Sequence, residues 1–310
     1  MRYVERYRFN DAASMNTPVP LIYQKLRTDY KKSNDEKSTE IWNNFTIGIR
    51  QLEGVKLKVA AGEKFTLSDL QAVHKGFFTV SDEKGDFTHE PHPGEIKPES
   101  DQDNEWWKLK SEDVASAVAV VDRKNSEYQQ MGLMTNFKGD AYINNLLSMK
   151  PLGAGFAIYS GDTRANKQHT ENILNFMNTL LEQAHQGQHM VWRGELFSPA
   201  RLAFFVQQYY VAIHPFHEGN GRTSRFLQEL ILTSFSLPHG SSGDLMASDV
   251  LTGHEDYYRL AVNKTSELVQ ALQNCMDGPY KFVTGPIGAS KDLASKDQST
   301  IEYGCRIIGN

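Results

Sequence analysis

Hydrophobic side chains recur every three or four positions along much of the chain, a spacing that places them on one face of an α-helix. The two clearest stripes lie on either side of a short segment that begins at residue 214. The first stripe consists of Leu202, Phe205, Val206, Tyr209 and Ile213, and the second of Leu227, Leu230, Ile231 and Phe235. Ser198 and Pro199 precede the first stripe as a capping residue and a first-turn proline. The pattern predicts two buried helices joined by a loop.

Four further segments show the same helical spacing. Their apolar positions are Ile41, Phe45, Ile49 and Leu52; Leu67, Leu70, Val73, Phe77 and Phe78; Val114, Val118 and Val121; and Ile173, Phe176, Met177, Leu180, Leu181 and Ala184. Gly54 is expected to end the first of these helices as a C-cap. Thr66 or Ser68 is expected to open the second helix, and Ser111 to cap the third.

Two stretches depart from this pattern. Residues 82–106 combine turn-forming and acidic residues and predict an exposed loop, after which Trp106 and Trp107 return the chain to the body of the protein. Residues 150–169 place turn residues around a short apolar segment and predict a small β-hairpin. We therefore expect an all-α, mainly helical fold with a small β-hairpin flap.

The same pattern indicates three regions along the chain. Residues 1–135 form an N-terminal helical region, residues 136–280 a core domain, and residues 281–310 a C-terminal tail rich in Gly, Ser, Lys and Asp. A chain of 310 residues can bury an ample core in one large domain or two smaller ones.

Composition narrows the class of protein and its compartment. The formal net charge of -5 and the absence of a basic tract in the sequence argue against a nucleic-acid partner. A charged N-terminus without a secretory signal, two cysteines, and no apolar run long enough to span a bilayer predict a cytoplasmic protein with no membrane partner. Export as an effector that needs no classical signal peptide stays an open alternative.

The loop between the two central helices carries the densest chemistry in the sequence. Residues 219–221 read Gly-Asn-Gly at the start of the second helix, where unhindered backbone N–H groups and the helix dipole favour an anion. Arg222 and Arg225 lie one turn apart and can bind the same anion, since the forked guanidinium suits phosphate oxygens. This spacing predicts a polyphosphate site.

The residues before the glycines supply a base and a metal ligand. Pro215 interrupts the first helix, so His214 lies at its end and is a candidate general base. Glu218 offers the hard oxygen that Mg²⁺ prefers, and Phe216 is expected to pack beneath the site. A zinc site at His214, His217 and Glu218 is disfavoured, because the proline breaks the helical register and a third ligand is not evident.

The run from His214 to Arg225 resembles the signature of the Fic family, HPFx(D/E)GNGRxxR, with every fixed position filled. The resemblance extends more loosely from residue 140 to 275, with the 150–169 hairpin at the place of the flap that clamps the target backbone. It implies His214 as the catalytic base, Glu218 as the Mg²⁺ ligand, and phosphate-binding roles for Gly219, Asn220, Gly221, Arg222 and Arg225.

The resemblance further implies a protein adenylyltransferase. It would transfer AMP from Mg-ATP, the co-substrate, to a Ser, Thr or Tyr hydroxyl of a target protein. Three alternatives stay open: a related transferase that uses UTP or another phosphate-containing donor, a hydrolase that removes AMP from modified proteins, and a catalytically silent interaction module. Intact Gly219 and Gly221 favour nucleotidyl transfer over the kinase-like members, which place bulk there.

A regulatory helix is the weakest part of the resemblance. Many Fic proteins carry an inhibitory motif, (S/T)xxxE(G/N), whose glutamate pairs with the second arginine of the signature. Residues 39–54 offer Glu53 and Gly54 in this pattern but Ile49 in place of Ser or Thr. We expect Glu53 to pair with Arg225 and obstruct ATP binding. Activity without this restraint would instead indicate a separate antitoxin-like inhibitor, or an uninhibited toxin or effector.

Overall fold

The computed structural model describes residues 54–77, 92–98, 105–109, 114–134, 147–152, 155–160, 166–217, 219–235, 237, 252–263, 280–282 and 305–307. The helices in these ranges are α1 (54–60), α2 (Leu67–Gly76), α3 (Val114–Gln130), α4 (Asn166–His185), α5 (Pro199–Ile213), α6 (Asn220–Ser234) and α7 (254–263). The strands are β1 (Glu105–Leu109), β2 (Leu147–Leu152), β3 (Gly155–Ser160), β4 (Val191–Trp192), β5 (Glu195–Leu196), β6 (Tyr280–Phe282) and β7 (Cys305–Ile307).

Helix α5 lies at the centre of the fold and packs most extensively against α6. Every α5 residue from Leu202 to Ile213 is buried, and the predicted stripe of α6 is buried as well, except for the partly exposed Phe235 beyond its end. Ser198 caps α5 through its hydroxyl, which accepts a hydrogen bond from the Arg201 backbone N–H at 3.1 Å. A helix buried around its whole circumference can hold a side chain at its end in a fixed place.

The remaining predicted helices are present where the structure describes them. Helix α2 begins at Thr66 with a capping box, in which the Thr66 hydroxyl and the Asp69 carboxylate each accept a backbone N–H of the other residue. The apolar stripe of α4 is buried as predicted, and only Ala184 is partly exposed. The stripe predicted for α3 is wrong at Val118, which is 41% exposed, because Ala117, Val121 and Tyr128 form the buried face instead.

The prediction that Gly54 ends a helix is wrong. Residues 54–60 are helical, and the helix ends at Gly62, whose φ of 83° is left-handed. The Glu63 N–H donates to the Lys58 carbonyl at 3.1 Å and the Gly62 N–H to the Val59 carbonyl at 2.9 Å. This pair of bonds is the Schellman pattern, in which the left-handed residue that follows the C-cap is usually glycine, here Gly62. The predicted helix over residues 39–53 lies outside the described residues.

The predicted β-hairpin is present but begins earlier than expected. Strands β2 and β3 pair antiparallel, with Met149 opposite Ile158, and β1 pairs with the other edge of β3, with Trp107 opposite Ile158. The sheet therefore has the order β1-β3-β2. The predicted loop at 82–106 extends too far, because residue 105 already belongs to β1. The fold is mainly helical with this small hairpin, as predicted.

Two further strand pairs are short: β4 pairs with β5, and β6 with β7, in which Lys281 lies opposite Arg306. Strand β7 lies in the tail predicted at 281–310, and it pairs with β6, which begins at residue 280. The domain boundaries at 135 and 280 stay predictions. Within the described ranges, none of the helices has the length and apolar character needed to cross a membrane.

Candidate active site

Helix α5 ends at His214, the candidate base. The backbone N–H of His214 still donates to the Tyr210 carbonyl at 3.1 Å, but its φ of 51° and ψ of 54° are left-handed. This conformation is uncommon for a residue with a side chain and costs about 1 kcal/mol. Pro215 follows and cannot continue the helix. The chain therefore turns sharply at His214, so that its side chain lies at the end of a buried helix.

The surroundings of His214 keep its imidazole neutral. The pKa of His214 is lowered to about 3; burial is the largest cause, and the positive charge of Lys97 is the second. A hydrogen bond with the Val211 backbone acts in the opposite direction. A histidine with a lowered pKa is unprotonated at neutral pH and can accept a proton from a hydroxyl.

The loop between α5 and α6 is closed by the side chain of Asn220. The Phe216 backbone N–H donates to Asn220 Oδ1 at 2.9 Å, and Asn220 Nδ2 donates to the Phe216 carbonyl at 2.6 Å. Both groups are buried, so the two bonds satisfy backbone atoms that would otherwise lack a partner. Both polar atoms of the Asn220 side chain are thus used in bonds to the loop. The group of Asn220 that can bind a ligand at the start of α6 is its backbone N–H.

Replacing Asn220 with Ala is expected to lower the free energy of unfolding by roughly 2 kcal/mol, because two buried backbone groups of Phe216 lose their partner. Urea unfolding measures this change. Asn178→Ala is the matched control: Asn178 makes the same paired bonds to the backbone of Phe65, at 3.0 and 2.8 Å. Comparable losses of stability are expected, with loss of catalysis only for Asn220→Ala. An unchanged urea midpoint for Asn220→Ala would contradict this reading.

The start of α6 is suited to an anion. Gly219 precedes the helix with a left-handed φ of 73°, which glycine adopts without strain, and it brings no side chain to cap the first N–H groups. A Cβ added at Gly221 would meet nothing nearer than Arg225 Nη1 at 3.9 Å. The fold therefore needs glycine at 219 for its conformation, but it does not need glycine at 221.

Two arginines lie on the first turns of the same helix. Arg225 is 8% exposed, and its buried Nε has no hydrogen-bond partner among the residues that the structure describes. Arg222 is half-buried. A buried guanidinium donor is costly unless an anion accepts from it. Together with the N–H groups of α6, Arg225 therefore favours a phosphate or carboxylate at this position.

Sequence reasoning missed two residues that hold the loop. His74 of α2 stacks on Phe216, with ring centroids 3.7 Å apart and an interplanar angle of 12°. Lys97 is 3% exposed, although it lies in a stretch predicted to be an exposed loop. Its backbone N–H donates to the Pro215 carbonyl at 2.9 Å, and its Nζ to the His214 carbonyl at 2.7 Å. The prediction of an exposed loop is wrong at Lys97, because these bonds bury the segment against the motif.

The structure thus brings together most of the predicted site. His214, Pro215, the buried Phe216 and Gly219 lie in the connection between α5 and α6, and Asn220 to Arg225 form the first turns of α6. Glu218, the predicted metal ligand, and Glu53, the predicted inhibitory residue, lie outside the described residues. Within the described part of the chain, no group of three or more His, Cys, Asp and Glu side chains is arranged to hold a metal ion.

Comparison with known proteins agrees with the motif. Residues 154–232, which run from the hairpin into α6, match the model of the Fic/DOC family. The chain is also similar to a solved structure, a Fic domain containing signaling protein from Bacteroides thetaiotaomicron. The similarity has a TM-score of 0.38 and 16% identity, and it covers 77% of this chain and 60% of that protein, less than two thirds of its length.

Residues 154–232 of this chain are therefore a Fic domain.

Proposed function

We propose that this protein is a protein adenylyltransferase, which transfers AMP from ATP to a Ser, Thr or Tyr hydroxyl of a target protein. One observation carries the proposal. A neutral histidine at the end of α5 is joined by a short, closed loop to an uncapped helix start that carries a buried arginine. This arrangement supports a base for the attacking hydroxyl beside a site for the phosphates that it attacks.

The proposed reaction uses the groups of the loop in sequence. His214 accepts the proton of the target hydroxyl while the hydroxyl oxygen forms a bond to the α-phosphorus of ATP. The bond from that phosphorus to the bridging oxygen breaks, and pyrophosphate leaves with its electron pair. Positioning and charge stabilisation would provide most of the rate enhancement, as in related phosphoryl transfers.

The phosphates would be held at the start of α6. The backbone N–H groups of Gly219, Asn220 and Gly221 would contact the transferred phosphate, and Arg222 and Arg225 the two that leave. The space at Gly221, which the fold itself does not require, supports an approach of phosphate to the backbone there. Glu218 would hold Mg²⁺, whose preference for carboxylate oxygen it fits, and the ion would neutralise phosphate charge.

The experiment that tests this function is incorporation of radioactive label into protein. The wild-type chain would be incubated in parallel with α-labelled ATP, γ-labelled ATP and α-labelled UTP, each with and without Mg²⁺. AMP transfer predicts Mg²⁺-dependent label from α-labelled ATP alone. Label from α-labelled UTP or γ-labelled ATP would identify another donor, and release of AMP from a modified protein would identify a hydrolase. Absence of all of these would reject the proposal.

We also propose that Glu53 restrains the enzyme by pairing with Arg225. The chain that follows Glu53 is packed on the Fic domain, which supports this idea. The His185 ring of α4 lies 2.9 Å from the Val59 carbonyl, and the Phe65 and Phe226 rings have centroids 6.1 Å apart. Phe226 is the neighbour of Arg225 on α6, so the segment between α1 and α2 contacts the helix that Glu53 would regulate.

Glu53→Gly is expected to increase self-modification roughly tenfold, because loss of the carboxylate would leave Arg225 available to ATP. Transfer from α-labelled ATP measures the effect. Glu63→Gly serves as the matched control, since Glu63 is an exposed glutamate just beyond the end of α1. An already active wild type that Glu53→Gly leaves unchanged would reject internal inhibition and favour a separate antitoxin-like partner.

A further inference from the structure

Residues 92–98, which we call the strap, cross the loop between α5 and α6. Lys97 contacts the loop twice, through its backbone N–H to the Pro215 carbonyl and through its Nζ to the His214 carbonyl at 2.7 Å. The carbonyls at the end of an α-helix lack intrahelical partners, and the helix dipole makes this end negative. Lys97 therefore caps the end of α5 at the residue that carries the candidate base.

The strap is itself fixed to α2. The Gly94 backbone N–H donates to His74 Nδ1 at 2.9 Å, and the His74 ring stacks on Phe216. A Cβ at Gly94 would lie 2.9 Å from the Gln71 carbonyl oxygen, and the φ of Gly94 is 86°. Only glycine can approach α2 so closely in this conformation. The strap, α2 and the loop are thus joined by direct contacts around His214.

The burial of Lys97 is costly without a compensating role. Lysine is among the residues least often fully buried, and loss of water around its ammonium group is expensive. Lys97 is nevertheless 3% exposed, with its Nζ against the backbone of His214. At the same place His214 adopts a left-handed conformation that a non-glycine residue rarely keeps without support.

We infer that Lys97 is a positioning residue, which holds His214 in the left-handed conformation that places its ring for proton transfer. The inference rests on the proposed function. Burial is the largest cause that lowers the pKa of His214, and the charge of Lys97 lowers it as well, so the same residue contributes to an unprotonated ring. The described elements around the loop carry other titratable or charged groups: Asp69, His74 and Lys75 of α2, His92 and Glu95 of the strap, His217 of the loop, and Arg222, Arg225 and Glu229 of α6. Among these described groups, Lys97 is the one whose charge acts on the pKa of His214.

The test compares Lys97→Met, which removes the charge and the donor at similar volume, with Lys97→Arg, which keeps both. For Lys97→Met, kcat for AMP transfer is expected to fall about a hundredfold, the loss typical of a displaced catalytic group. The KM for ATP is expected to stay within about twofold of wild type, because the phosphate site is intact. Lys97→Arg is expected to restore kcat to within about threefold.

A second readout does not depend on activity. The His214 ring would be followed by ¹⁵N NMR in histidine-labelled protein, its signal identified by its absence in His214→Gln. Loss of the positive charge favours the protonated ring, so Lys97→Met is expected to raise the pKa of His214 and move the acidic limb of kcat to higher pH. In Lys97→Arg, the pKa of His214 is expected to stay at the wild-type value.

Lys124→Met is the matched control, because Lys124 is another fully buried lysine and its charge acts on His254. It should leave both the kcat and the His214 titration unchanged. If Lys97→Met leaves either quantity as in wild type, the inference is overturned. Should Lys97→Met fail to fold, Lys97→Gln removes the charge and keeps a donor. If the wild type transfers no nucleotide, the proposed function fails while the ring titration still decides the role of Lys97.

Discussion

His214→Ala is expected to lower the transfer of label from α-labelled ATP about a thousandfold, to the background of the assay. A positioned general base contributes roughly 10²- to 10⁴-fold to such a reaction. His214 is unprotonated at neutral pH because burial and Lys97 lower its pKa. Alanine offers no atom that accepts the proton. Single-turnover assays with saturating ATP would measure the chemical step, since nucleotide binding should be unaffected.

His217→Ala is the control for this prediction. His217 belongs to the same loop and is half-buried, and its ring centroid lies 6.2 Å from that of His92. Transfer by His217→Ala is expected to stay within about threefold of wild type, because we assign this histidine no part in the reaction. If His214→Ala kept a tenth or more of the wild-type rate while folded, a different group would have to be the base.

Gly221→Ala is expected to separate catalysis from stability. The added methyl group fits the folded chain, with Arg225 Nη1 as its nearest neighbour at 3.9 Å. Alanine is also the better helix former, by at most about 1 kcal/mol at this position. Urea unfolding should therefore show equal or slightly higher stability. Transfer from ATP is expected to fall about a hundredfold, since the methyl group would shift the phosphates by about 1 Å.

The comparison of the two measurements decides the role of Gly221. Loss of both stability and transfer would mean that glycine serves the fold. Retention of both would contradict a phosphate cradle at the start of α6, because a phosphate in contact with the backbone could not tolerate the methyl group. Nucleotide binding, followed by calorimetry with non-hydrolysable ATP, would show whether the loss arises in binding or in the chemical step.

The central helices could be predicted because their signals are local. The apolar stripe of α5 repeats with helical spacing, and Ser198 and Pro199 mark its start by side-chain chemistry that needs no tertiary context. The loop after His214 was likewise predictable, since proline and glycine restrict the backbone directly. The resemblance to the family motif implied roles for individual side chains, which hydrophobic spacing alone does not give and which stay predictions.

The errors arose where tertiary contacts override local signals. The sequence predicts a helix end at Gly54, yet Gly54 lies within α1, which the Schellman bonds at Gly62 terminate. Val118 is apolar and exposed, because the buried face of α3 is rotated toward Ala117 and Tyr128. Lys97 could not be found by hydropathy, since a buried lysine looks like a surface lysine until its acceptors, the carbonyls of His214 and Pro215, are known.

The side-chain closure between Phe216 and Asn220 has a consequence for how this loop can change in evolution. Its two hydrogen bonds make residues 216–220 a ring of fixed circumference rather than an open connection. An inserted or deleted residue would change the distance between Phe216 and Asn220 along the chain and break both hydrogen bonds. Diversity in such a domain is therefore confined to substitutions within a loop of constant length, and new specificities have to arise in the surrounding segments.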